Sequence, residues 1–144
     1  MDSAQPIVEE WFARTVESYP APSQHFLACE ADPFRNPVGH ALRRAMTVLV
    51  SELQAEMKEA PVRAALDSIL QIRAVQDLSP SEAVGFVFLL RPILLAPGAS
   101  RPAMLEARID RLALMAFDSY MSFRERVAAV RAQERHRVQR ARGA

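Results

Sequence analysis

From Ala103 to Arg142 the chain runs forty residues without a glycine or a proline, and within that stretch Leu105, Ile109, Leu112, Ala116, Tyr120, Phe123, Val127 and Val130 step by threes and fours. Apolar residues at that interval share one face of a helix. A continuous helix of forty residues spans about 60 Å, twice the ~30 Å width of a small domain. One end must therefore protrude, bend back or pair with something. The spacing predicts an association surface formed by Tyr120, Phe123, Val127, Val130 and Arg131, with Phe123 and Val127 exposed in an isolated monomer. The expected product is a homodimer or a complex with a protein partner in trans. A helix that bends near Ser119 to Ser122 and folds back is the competing outcome.

The rest of the chain has to build a core against this helix. Only four of the 144 residues are glycine and half are apolar, with much Ala and Leu, which favours helix throughout. The expected class is all-α, a single domain of about five helices, with residues 1–124 forming the domain and 125–144 an Arg-rich helical extension. From Ala83 to Leu90 every residue is apolar or Gly. An exposed amphipathic helix does not tolerate that pattern, so the segment from Pro80 to about Arg91 is predicted to be a central helix surrounded by the others. Ser79 and Glu82 fit a capping box at its start, Pro92 should kink or end it, and Gly85 suggests a close backbone crossing.

Three further helices are expected. One runs from about Pro6 to Tyr19 on Ile7, Trp11 and Val16. A second opens at Asn36 and Pro37, a cap residue followed by proline at the first helical position, and ends near Met57. A third opens at Pro61 and carries Leu66, Ile69 and Leu70. Between the first two, the residues up to Arg35 read as a connector with a few apolar anchors and room for one helical turn.

Little chemistry is written on these elements. The lone Cys29 lies beside Glu30 and Asp32, whose charge does not activate a thiol, and no two of His25, His40 and His136 have metal-ligand spacing. No phosphate loop, nucleophile elbow or zinc motif occurs. No catalytic, cofactor or metal residues are therefore assigned, and the chain is expected not to be an enzyme. Two polar features remain. Arg73, Gln76 and Asp77 cluster where the third helix meets the central one, with Arg73 and Asp77 one turn apart and able to pair. They read either as a helix-end ion pair or as a polar mouth for a partner or small ligand. The stretch from Arg124 to Arg142 holds seven Arg and two Glu within a chain whose formal charge is only +1. It suits an acidic protein surface better than nucleic acid, because it offers no aromatic residue for base stacking. Acidic residues near the N-terminus and Arg91 interrupting the greasiest run argue against a signal peptide or membrane span, so a soluble cytoplasmic protein is expected.

"RNPVGHALRRAM" and, some thirty residues on, "LDSILQIRAVQDLSPSEAVGFVFLLRPIL" resemble the RsbRD N-terminal domain family of RsbT co-antagonist proteins. The resemblance covers residues 5 to about 125. It implies a globin-like helical bundle without haem, usually dimeric, which biases stress or redox signalling through a helix leaving its C-terminus. Such domains sit on a STAS domain, and these 144 residues contain none, so the resemblance implies a regulatory or accessory subunit acting in trans. A haem- or ligand-binding globin-like sensor is the alternative, and a weak nucleic-acid binder working through the Arg-rich tail is a further one.

Overall fold

The computed structural model describes residues 4–76 and 78–143. They form an all-α fold with α1 (Ala4–Val16), α2 (Ala21–Cys29), α3 (Pro37–Gln54), α4 (Glu59–Val75), α5 (Pro80–Val84), a 3-10 segment (Gly85–Leu89), α6 (Leu90–Leu94) and α7 (Pro102–Arg142). The described residues contain no strand. Helix α1 packs on α3, α3 on α4, and α4 on α7. The 80–94 segment fills the remaining side between α7 and α1. This ring closes over Trp11, Met46, Leu49, Leu70, Leu90, Ile109 and Leu112, none of them more than marginally exposed.

Local chemistry accounts for most boundaries. Asn36 accepts from Gly39 N at 3.0 Å and so caps α3, while its amide donates to Leu27 O and Glu30 O at the end of α2. Ser79 and Glu82 close the capping box of α5 reciprocally. The expected connector after α1 holds a nine-residue helix, because Pro22 stands in its first turn with φ already helical. Helix α1 stops at Val16 rather than Tyr19, and α3 at Gln54 rather than Met57, whose φ of 52° leaves the helical region. Helix α4 begins at Glu59, two residues before Pro61.

The central segment departs further from expectation. In place of one helix surrounded on every side there is a short α-turn, five residues of 3-10 helix and another α-turn. A 3-10 helix repeats every three residues, so side chains eclipse at i and i+3. Val84, Val87 and Leu90 accordingly stack inward, whereas Gly85 and Phe88 fall on an outer row and Phe88 is 47% exposed. Pro92 does not end the segment near Arg91, since α6 continues to Leu94. It lies in the first turn of α6, where its missing N–H leaves no α-helical bond unmade. The suggested crossing at Gly85 is absent too, since a Cβ there would meet nothing within 4 Å.

Helix α7 is continuous over 41 residues, with no break near Ser119 to Ser122. Three polar contacts anchor its middle to the α4 end of the body. Ser119 Oγ donates to Asp67 Oδ1 at 2.6 Å, the Tyr120 hydroxyl donates to Leu78 O, and Arg124 Nη1 donates to Ala74 O at 2.8 Å. Arg108 Nη1 donates to Leu53 O and Ala55 O, each at 2.7 Å, which satisfies carbonyls freed at the end of α3.

Candidate functional site

The junction between α4 and α5 is the most unusual polar environment in the fold. Arg73 lies in the last turn of α4 on the inward side, one turn after Ile69 and Leu70, so helical geometry carries its side chain under the start of the next element. It is 2% exposed. Nη1 donates to Glu82 O at 3.1 Å, and the guanidinium lies 5.1 Å from the Phe86 ring centre and 5.5 Å from that of Tyr19. Nε and Nη2 are buried and have no hydrogen-bond partner among the described residues. Burial pushes this guanidinium below the usual arginine value, with the neighbouring Tyr19 hydroxyl pulling the other way. A buried charge costs on the order of several kcal/mol unless it is fully paired, and here most of the donors are idle.

A cavity of about 460 Å³ adjoins Arg73, walled by Ser18, Tyr19 and Pro20 after α1, Ser23 of α2, and Gln76, Leu78 and Glu82. The structure thus brings Arg73 and Gln76 of the sequence cluster to one cavity, while Asp77 lies outside the described residues. Sequence spacing pointed to a local pairing. It did not show Tyr19 and Phe86 facing Arg73, because those contacts join segments far apart in the chain. The Glu82 carboxylate turns toward its own cap, accepting from Ser79 Oγ at 2.7 Å.

The α7 surface differs from the expected stripe in detail. Tyr120 is buried in its own fold at 1% exposure and is not available to a partner. Phe123 and Val127 are half-buried rather than exposed, packed against the end of the core, with Arg126 over the Phe123 ring. Beyond them the body ends. Val130 and Val138 are 55% and 50% exposed, and Arg131 is exposed beside them. A second apolar row, Leu114, Phe117 and Met121, faces away from the core on the opposite side of the helix, which the single-stripe reading missed.

Among the described residues no group of three His, Cys, Asp or Glu side chains could hold a metal ion. His25, His40 and His136 are all exposed. Because α2 is helical, His25 and Cys29 meet at i and i+4, with Nδ1 3.7 Å from Sγ, both at the surface. The connector reading concealed this pair. No helix of the described residues is long and apolar enough to cross a membrane.

The family model for the RsbT co-antagonist protein RsbRD N-terminal domain matches residues 5–135. The chain belongs to the RsbRD N-terminal domain family. The match takes in the Arg73 junction and all but the last seven residues of α7, so both features lie within the RsbRD N-terminal domain itself, and the family is one of regulatory domains in stress-response signalling. No curated protein and no solved structure matches the chain.

Proposed function

We propose that this chain is a non-enzymatic regulatory domain that works through protein–protein contact, in stress-response partner switching of the RsbT co-antagonist kind, with α7 as its association and output element. The observation that carries this reading is the course of α7 past the body. Beyond Val127 the helix surface is exposed, yet Val130 and Val138 continue the apolar face that Ile109, Leu112 and Ala116 present to the core. Apolar residues repeated on a protruding helix favour pairing with another helix. The simplest occupant is the same face of a second copy, while the surrounding arginines suit acidic groups on a further protein and speed the encounter.

Light scattering on the purified chain is expected to give a dimer. The Val130→Glu, Val138→Glu double variant should dissociate it with helix content and melting midpoint preserved, because neither residue contributes to the core. A monomeric parent, or a dimer that survives the double variant, would sink this use of α7.

The alternative of a haem sensor finds no support in the side chains present, since none of the three histidines faces the interior. Protein purified after growth with haem supply is expected to show no Soret band. A stoichiometric band abolished by His40→Ala would move the domain to gas or redox sensing.

A further inference from the structure

We propose that the cavity beside Arg73 is a binding site for a small monocarboxylate with a short apolar body. The argument begins with which donors are idle. Nε–H and the Nη2–H on the same edge of a guanidinium form a parallel fork, spaced to meet the two oxygens of one carboxylate. Among the described residues neither nitrogen has a partner, whereas the third, Nη1, is already committed to Glu82 O. Buried polar groups in native proteins almost always have partners, so a buried fork left empty marks a missing acceptor.

The surroundings select among acceptors. Tyr19, Pro20 and Leu78 give the cavity apolar walls, and Ser18, Ser23 and Gln76 add neutral polar groups. Its volume of about 460 Å³ lies within the range of small-ligand sites. Among the described residues Glu82 is the one acidic side chain of the wall, and it disfavours a doubly charged phosphate more than a singly charged carboxylate. Nε and Nη2 are themselves screened from water, so a carboxylate reaches them only on a local rearrangement of the cavity wall. Nothing in this assignment depends on how α7 associates.

Calorimetric titration of the full chain with butyrate, benzoate, butyramide and inorganic phosphate tests the site. Both carboxylates should bind ~10- to 100-fold tighter than butyramide, the ratio expected from charge-assisted hydrogen bonds. Arg73→Met should abolish that preference. Arg73→Lys keeps the charge but loses the fork, and should weaken carboxylate binding ~10-fold. Should Arg73→Met fail to fold, Ser23→Phe, which fills the cavity from α2, must lower carboxylate affinity by a similar factor. Equal binding of butyramide, carboxylate binding unaffected in Arg73→Met or Ser23→Phe, or Arg73-dependent binding of phosphate in preference to carboxylate each overturns the proposal. So does binding that appears only in Asp77→Asn, which would make the chain's own Asp77 carboxylate the occupant of the fork.

Discussion

Phe86→Ala is expected to lower the melting midpoint by roughly 10–15 °C, corresponding to ~3–5 kcal/mol for truncating a large buried aromatic in a chain of this size. Phe86 is 3% exposed, stacks on Trp11 with ring centres 5.8 Å apart, and supports the Arg73 guanidinium. Its carbonyl also accepts the Trp11 indole N–H at 2.7 Å. That bond comes from the backbone, so the substitution removes packing while leaving the Trp11 donor its acceptor. Leu89→Ala should cost far less, ~1–2 kcal/mol, because Leu89 is half-buried. Thermal unfolding of both variants decides the matter. A Phe86→Ala midpoint within three degrees of the parent would show that the 3-10 segment does not hold the core.

The second large effect is a change of sign between two glycines. Helix propensity alone favours alanine over glycine by about 1 kcal/mol at an interior position, so Gly39→Ala and Gly85→Ala would both be expected to stabilise. At Gly39 a Cβ would stand 2.4 Å from Asn36 Nδ2 and 2.7 Å from Oδ1. Asn36 cannot yield cheaply, since the same amide caps α3 and ties it to the end of α2. Overpacking costs ~1–3 kcal/mol and a lost cap ~1 kcal/mol more, which outweighs the propensity gain. Gly39→Ala should therefore destabilise by a net ~2 kcal/mol. Gly85 has ordinary helical dihedrals, φ −56° and ψ −24°, and open space around it. Gly85→Ala should stabilise by about 0.4–1 kcal/mol, chiefly by restricting the unfolded chain. Denaturant titrations giving the same sign for both would refute the packing argument at Asn36.

Elements whose signals are local were legible in the sequence. The caps at Asn36 and Ser79 follow from side chains within one turn, whereas the absence of breakers permitted a continuous α7 without deciding it against a bend near Ser119 to Ser122. The 3-10 geometry of residues 85–89 was not legible, because an all-apolar run has no polar marks from which to read a period, and only packing between α1 and α7 fixes it. Helix α2 was read as a connector because its proline punctuation signals a helix start as readily as a break. At the candidate site, Arg73 and Gln76 were visible as a polar cluster. The burial of Arg73 was not, because it depends on Tyr19, Glu82 and Phe86 arriving from distant segments.

Helix α7 also has the proportions of a lever. The last of the three polar contacts described above is made by Arg124, and the eighteen residues from Glu125 to Arg142 extend about 27 Å past it at 1.5 Å per residue. A tilt of about 10° at that fulcrum would carry the tip through about 5 Å, roughly one helical turn, while atoms at the anchor move only fractions of an ångström. One of the anchoring bonds joins Tyr120 to the carbonyl of Leu78, a residue that also lines the Arg73 cavity. A displacement too small to disturb the core, made where the cavity meets the helix, would thus be amplified at the arginine-bearing end of the helix proposed above as the output element.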